Sequence, residues 1–309
     1  MPKLKFYTYC LALTVLLAPC TAYSHHEAIV GPHAPAFFSN KGFAGFQVFN
    51  IAAGSGDDLA HEQIGLVSAG IPLGHDGNFS LAVMQPVSHT DKVNAEDTLL
   101  TLRYQKSFEH LQEEWGGDAN FFTLVFGAEV PTGNADGQTP FQGPLDTLLA
   151  GFVSVEKGDW SAIAYAYRRF NGYTRDGTKS GDLFYAGTGI GYSAWEEHSS
   201  HQSISLQAGI SFEHKGKTTL HNQDTNQGMD LPGSDGWSLV AHPTIAYSMS
   251  HHWDMFLTFG FPLVQDHQDE AEALNWRAGL GFIYTFGDDH HAQNAPTIHG
   301  HGHGHGSHH

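Results

Sequence analysis

HQSISLQAGISF, residues 201–212, alternates between apolar residues and small or polar residues. Successive side chains of a β-strand point to opposite faces, so this period of two predicts a strand with one apolar and one polar face. A tilted strand crosses a bilayer in about ten residues, and this segment is long enough to do so. Its apolar face consists of Ile204, Leu206, Ala208, Ile210 and Phe212.

The same alternation predicts eleven further strands. It is clean in WSLVAHPTIAY (237–247), WDMFLTFGFPL (253–263) and NWRAGLGFIYTF (275–286). It is less regular near residues 42–52, 63–73, 78–88, 97–107, 120–130, 145–156, 160–170 and 182–193. Twelve such strands predict an all-β fold, a transmembrane antiparallel up-and-down β-barrel. The apolar faces would meet lipid, and the small or polar faces would enclose a lumen.

The connections between the strands favour a barrel of the outer-membrane class. Odd-numbered connections such as 131–144 and 213–236 are long, whereas most even-numbered ones, such as GHDG (74–77) and EKGD (156–159), are short. Outer-membrane barrels alternate long outer loops with short periplasmic turns, and an even strand number leaves both termini in the periplasm. All six tryptophans lie at or beside predicted strand ends, where an aromatic girdle is expected. A soluble β-sandwich would explain the alternation, but it would not explain the difference in loop length or the positions of the tryptophans.

The beginning of the chain is typical of a secretory leader. Lys3 and Lys5 precede LALTVLLAP (11–19), an apolar run too short to span a bilayer, and TAYS (21–24) supplies the small residues of a cleavage site. Both cysteines lie in this leader, so we expect no disulfide in the mature chain. The predicted domains are a signal peptide (1–24), a periplasmic N-terminal segment (25–40), the barrel (41–286) and a disordered histidine-rich periplasmic tail (287–309).

The charge balance limits the choice of partners. The formal net charge is −18, and no basic stripe runs along the chain, which argues against binding of nucleic acid. An exported barrel is instead expected in the outer membrane of a Gram-negative bacterium, with membrane lipid as its main partner.

The tail ends in HGHGHGSHH (301–309). Neutral imidazole is a ligand for Zn, Cu(II) and Ni, and glycines between the histidines let two rings reach one ion. The sequence requires no cofactor, but it predicts weak, exchangeable binding of such a metal. An added purification tag and a low-complexity tail without a role remain alternatives. The candidate ligands are His290, His291, His299, His301, His303, His305, His308 and His309 in the tail, and His25 and His26 at the new N-terminus.

Inward-facing polar residues are candidates for lining the lumen. Their mixed charges fit salt-bridged packing as well as they fit a pore. These candidates are Arg103, Gln105, Glu129, Asp146, Arg168, Gln207, His242, Asp254 and Arg277.

No pattern in the sequence indicates catalysis. An outer-membrane lipid hydrolase needs a nucleophilic serine, a histidine base and a third polar group that orients the base. SHT (88–90) and HSSH (198–201) contain serine and histidine, but adjacent residues on a strand point to opposite faces. We therefore expect that the chain is not an enzyme.

Several segments resemble one outer-membrane family, named for meta-pathway phenol degradation. The similar segments are FGAEVPTG (126–133), LDTLLAGFVSVEKGDWSAIAYAYRRFNG (145–172), GDLFYAGTGIGY (181–192) and LVAHPTIAY (239–247). The resemblance implies a transporter-like barrel of about a dozen strands and brings no catalytic or binding residues. Gly281, Tyr284 and Phe286 also resemble the terminal signal that barrel-insertion machinery recognises, which makes that machinery an expected partner.

These features together predict a channel or transporter for small solutes, with a histidine-rich periplasmic face that captures or transports a divalent transition metal. A non-conducting metal-binding or structural outer-membrane protein is the alternative. An outer-membrane lipid hydrolase is a weaker one.

Overall fold

The computed structural model describes ten ranges of the chain. They are residues 42–54, 59–74, 78–89, 93–107, 119–133, 143–174, 177–197, 201–222, 227–267 and 273–286. The predicted signal peptide, N-terminal segment and tail lie outside these ranges, as does the connection 108–118. Within the described ranges, no helix has the length and apolarity needed to cross a membrane.

Twelve long β-strands form the wall of the barrel. They are β1 (Gly42–Ala53), β2 (Ala60–Leu73), β3 (Phe79–His89), β5 (Thr98–Ser107), β6 (Ala119–Val130), β7 (Asp146–Lys157), β8 (Trp160–Phe170), β10 (Leu183–Glu197), β11 (Gln202–Lys215), β14 (Gly236–Ser248), β15 (Trp253–His267) and β16 (Leu274–Phe286). Four short strands lie between them: β4 (Val93–Ala95), β9 (Thr178–Lys179), β12 (Thr219–Asn222) and β13 (Gln227–Asp230).

The sheet closes on itself. Each long strand pairs antiparallel with its neighbours in the chain, and β1 also pairs with β16, so that Gly42 lies opposite Phe286. This confirms the predicted all-β, twelve-stranded up-and-down barrel. Closure leaves no strand edge of the wall unpaired, which is a requirement for a sheet in lipid. Strands β9, β12 and β13 form a separate small sheet that the sequence did not indicate.

The outward face of the wall is apolar. Phe46, Val67, Ile190, Leu206 and Ile245 all point outward, and each is between 47% and 58% exposed. Apolar exposure repeated around a closed sheet would be unfavourable in water but matches the lipid-facing band of a membrane barrel. The five tryptophans within the described ranges all lie within two residues of a strand end, and Trp115 lies outside those ranges.

The inner face is less polar than the sequence predicts. Large apolar side chains point inward and form one buried cluster that includes Phe43, Leu66, Met84, Phe152 and Phe256. Glycines on neighbouring strands make room for several of the rings. Gly279, for example, lies opposite Phe49 in the strand register, and a Cβ at Gly279 would lie 2.5 Å from that ring. The small residues that suggested a polar lumen therefore serve partly as sockets for aromatic side chains.

Candidate functional site

The barrel interior holds most of the polar residues that the sequence singled out. Eight of the nine candidates occupy inward positions, each alternating with an outward residue of the same strand. Gln207 and Asp254 are half-buried. The others are buried: Arg103, Gln105, Glu129, Asp146, His242 and Arg277.

The inward position predicted for Arg168 is wrong. Arg168 follows a series of alanines on the outward face of β8, and its side chain is 54% exposed. The inward face of the same strand carries Tyr165, Tyr167 and Arg169, and the side chain of Arg169 is only 13% exposed. The prediction was wrong because the alternation of alanine and tyrosine in β8 does not show which face meets lipid. Both tyrosines pack inside the barrel.

One polar cluster, the Arg277 cluster, joins three strands in the interior. Arg277 Nη1 donates to Glu213 Oε2 at 3.1 Å, and Nη2 donates to Glu213 Oε1, so the pair is bidentate. Arg277 Nη2 also lies 3.1 Å from His242 Nε2. The Ser211 hydroxyl donates to Glu213 Oε1 at 2.7 Å and lies 2.6 Å from His242 Nε2. The cluster satisfies a buried charge pair with directional hydrogen bonds, as burial in low dielectric demands.

Gly260 allows Arg277 to reach this cluster. β15 lies between β16, which carries Arg277, and β14, which carries His242. Gly260 on β15 is the register partner of Arg277, and a Cβ there would lie 2.6 Å from Arg277 Cγ. The arginine side chain therefore passes along the inner face of β15, over Gly260, to reach the next strand.

The Arg277 cluster contains the side chains of a hydrolase but not its geometry. In a catalytic triad, the acid orients the histidine through the ring nitrogen that faces away from the serine. Glu213 instead approaches Nε2, the nitrogen that faces Ser211, at 3.7 Å and is bound to Arg277. The group is also buried inside the wall, away from the lipid-facing rim where a lipid hydrolase would need it. The geometry favours a structural role.

A second cluster, the Arg169 cluster, lies toward the end of the barrel opposite Gly42 and Phe286. Arg169 Nη2 lies 2.8 Å from Glu129 Oε2 and 2.6 Å from Asp146 Oδ2. Asp146 Oδ1 accepts the backbone N–H of Gly172 at 2.7 Å, which ties the loop after β8 to this cluster. One arginine therefore links β6, β7 and β8 at their loop ends.

Asp97 lies beside the Arg169 cluster, in the connection between β4 and β5. Its Oδ1 accepts the backbone N–H of Gly133 at 2.9 Å. Burial raises the pKa of Asp97 above its usual 3.8, the Gly133 hydrogen bond lowers it in part, and the negative charge of Asp146 raises it further. Burial outweighs the favourable interactions because it removes the carboxylate from water.

Three inward polar side chains each have two groups without a hydrogen-bond partner in the described part of the chain. They are both amide atoms of Gln47, both amide atoms of Gln105, and Nε and Nη1 of Arg103. Such buried groups cost about 1–3 kcal/mol each unless water or a ligand binds them. Water bound at these side chains would remove this cost.

The interior also contains small cavities. One of about 20 Å³ is lined by Glu129, Asp146 and Arg169, together with Leu66 and Leu99. Another, of about 30 Å³, lies between Tyr185, Glu213 and Ser238. Each has room for one or two water molecules, since one water needs about 10–15 Å³ on this measure. Neither cavity has room for a molecule much larger than water.

Sequence reasoning missed two residues that organise the interior. Glu213 was assigned to an outer loop, yet it continues the alternation of Ser203 to Ser211 by one further step of two. Arg169 was overlooked in favour of Arg168. The period of β11 could have identified Glu213. The partner of Glu213 lies 64 residues away, so no local pattern could have indicated it.

The described residues contain no group of three or more histidine, cysteine or acidic side chains that could hold a metal ion. The ten histidines predicted as metal ligands all lie outside the described ranges, so metal binding by the tail stays a prediction.

Solved structures share the fold at low sequence identity. The crystal structure of an outer-membrane channel from Pseudomonas putida F1 matches with a TM-score of 0.61 and 12% identity, over 80% of this chain and 96% of that chain. The KdgM porin, solved in complex with disordered oligogalacturonate, gives a TM-score of 0.46 and 13% identity over 79% of this chain and 99% of its own. The NanC porin gives a TM-score of 0.47 and 8% identity over 78% of this chain and 100% of its own.

The match to the Pseudomonas channel supports the fold class, a closed β-barrel of the outer-membrane type. The two porin matches are too distant to support more. No family model and no curated protein sequence matches the chain. The resemblance to the family named for phenol degradation therefore rests on the motifs quoted above.

Proposed function

We propose that this protein is an outer-membrane channel that passes small polar solutes, with both chain termini in the periplasm. The closed apolar-faced barrel is the frame for this function. The observation that carries the proposal is the set of unpartnered polar groups on Gln47, Arg103 and Gln105. Water or a passing solute would satisfy these groups, whereas a dry, fully packed interior would leave each of them at a cost.

The inward charges favour cations and neutral polar solutes over anions. Six buried carboxyl groups outnumber four inward cationic side chains: Glu62, Glu96, Glu129, Asp146, Glu156 and Glu213 against Arg103, Arg169, Arg277 and the half-buried Lys215. A surplus of acidic side chains along a narrow path attracts cations. The apolar side chains between them, such as Met84 and Phe256, limit the size of the solute.

Planar-bilayer recording and liposome swelling test this proposal. We expect discrete steps of small conductance and uptake of small sugars or amino acids, with no uptake of larger oligosaccharides. A protein that is folded, as shown by a heat-dependent shift in gel mobility, but has neither conductance nor solute flux would contradict the proposal.

A second function, capture of divalent metal at the periplasmic rim, is favoured by the arrangement of histidines near Phe286. The rings of His201 and His251 lie 3.5 Å apart between centroids. His252 Nδ1 lies 2.9 Å from the carbonyl oxygen of Thr285, next to the residue where the tail departs. The tail begins within two residues of this contact, so its histidines would start close to imidazoles that the barrel already holds. Imidazole pairs favour Zn, Cu(II) or Ni.

Calorimetric titration with these three metals separates the alternatives. The intact chain is compared with a chain ending at Gly287 and with the full chain carrying His201→Ala and His251→Ala. Tighter binding by the intact chain than by both variants supports joint binding by rim and tail. Equal binding by the intact and shortened chains would contradict a role of the tail.

A further inference from the structure

A basic cleft of about 500 Å³ opens on the outer surface of the barrel, at the loop ends of β8, β10 and β11. Its floor is formed by Phe184 and Phe212, and its rim carries Arg168, Lys179, Lys217 and Asp182. We call these six residues the basic cleft. It lies on the outward side of the wall, so it is separate from the interior clusters described above.

The floor of the basic cleft belongs to the outward face of the barrel. In the strand register, Arg168 lies opposite Phe184, which in turn lies opposite His214. The ring of Phe212 stacks on Trp237 with centroids 5.9 Å apart. An aromatic patch at the end of membrane strands is the arrangement found at the boundary between acyl chains and headgroups.

The rim of the cleft concentrates positive charge. The chain has only 14 lysines and arginines against 32 acidic residues, yet three of its cations meet here. Asp182 is the one carboxylate of the cleft and is shared, at 3.6 Å from Arg168 and 3.1 Å from Lys179. Lys217 is exposed and has no ion pair within the described ranges. The rim therefore carries two more positive charges than negative charges, which favours the binding of an anion.

Backbone contacts hold the rim in place. The N–H of Gly216 donates to the carbonyl oxygen of Asp182 at 2.8 Å, and the N–H of Asn171 donates to Asp182 Oδ1 at 3.1 Å. Lys179 pairs with Thr219 in the small sheet of β9 and β12. Arg168 is steadied by the Phe170 ring, with Cζ 4.5 Å from the ring centroid. The cations are therefore organised before any ligand arrives, which reduces the entropy cost of binding.

We propose that the basic cleft binds the phosphate group of an outer-leaflet lipid, whose acyl chains lie along Phe184 and Phe212. The proposal rests on the orientation of the proposed channel, because the cleft lies at the end of the barrel opposite Gly42 and Phe286. Arginine and lysine bind phosphate by charge-assisted hydrogen bonds. A free phosphate ion would use the same rim, but the aromatic floor and its place on the lipid-facing wall favour an amphiphile.

Lipid binding to the purified barrel in a neutral detergent tests this proposal without requiring conduction. The probes are diphosphorylated lipid A, the same lipid without phosphates, and inorganic phosphate, each followed by native mass spectrometry and competition. We expect the diphosphorylated lipid to bind best. Arg168→Ala with Lys217→Ala should weaken it about tenfold or more, given the usual strength of charged hydrogen bonds.

Lys106→Ala with Lys157→Ala is the matched control, since both lysines are exposed near the other end of the wall. We expect this variant to bind the lipid as the unmodified chain does. Equal loss in both double variants, no loss in either, or binding of inorganic phosphate as tight as that of the lipid would overturn the proposal. Conductance recorded on the same samples reports separately on the channel, so failure of one proposal does not imply failure of the other.

Discussion

Tyr165 on β8 lies directly opposite Gly187 on β10, and a Cβ added to Gly187 would fall 2.5 Å from the tyrosine ring. The same relationship joins Phe49 with Gly279. Inward rings therefore lie over glycines of the adjacent strand. This explains how a wall of small inward residues still encloses large aromatic side chains.

Gly187→Val should destabilise the barrel. The new Cβ would meet the Tyr165 ring and, at 2.8 Å, the backbone oxygen of Ile210, which cannot move aside. Overpacking of this kind costs about 1–3 kcal/mol. Urea unfolding followed by tryptophan fluorescence measures the loss. Gly151→Val is the matched control, because the nearest atoms lie 3.8 and 4.0 Å from its Cβ position, and equal losses in the two variants would contradict the socket interpretation.

Arg277→Met should destabilise the barrel more than removal of an exposed arginine. The change leaves the buried Glu213 carboxylate without its bidentate partner, which costs about 3–5 kcal/mol. Adding Glu213→Gln should recover much of this loss, since the amide needs no counter-charge. A double-mutant cycle by urea unfolding measures the coupling. Arg168→Met on the outer surface is the control, and a similar loss there would show that the pairing is unimportant.

Stability should depend on the protonation of Asp97. Because burial raises the pKa of Asp97, the folded protein holds the proton more tightly than the unfolded chain. This group therefore stabilises the fold at low pH, and the contribution is lost as the pH rises above 3.8 through the folded pKa. In Asp97→Asn the free energy of unfolding should lack this decline. A difference between the two proteins that stays constant from pH 3 to 7 would refute the effect.

Arg103→Gln should increase the preference for cations. Arg103 is buried on the inner wall and has no ion pair within the described ranges. Its removal therefore does not leave a carboxylate without its partner. The reversal potential in a KCl gradient measures the change, which we expect to move toward that of potassium. Arg168→Gln removes the same charge from the outer surface and should leave the reversal potential unaltered. A shift of equal size in both variants would argue against a path along Arg103.

Much of the fold could be predicted because strand alternation is a local property. Each of the twelve segments identified from the sequence overlaps a long strand, and the segment 275–286 coincides with β16 to within one residue at its start. The separate sheet of β9, β12 and β13 was not predicted, because strands of two to four residues are too short to show an alternating pattern.

The candidate site could be predicted only in part. His242, Arg103 and Arg277 were placed correctly on inward positions because polar residues alternate with apolar ones on their strands. The face of Arg168 was misassigned because alanine and tyrosine alternate in β8, and composition does not tell whether a ring meets lipid or a glycine across the strand.

By itself, then, the sequence of this protein determined its strands, their number and the apolar outer face, since each depends on residues within about ten positions of one another. Only the tertiary structure decided that Arg277 pairs with Glu213, that tyrosines fill the interior, and that Arg168 meets Lys217 at an outward cleft. These contacts arise from strand register and closure between β1 and β16, which bring together residues that are far apart along the chain.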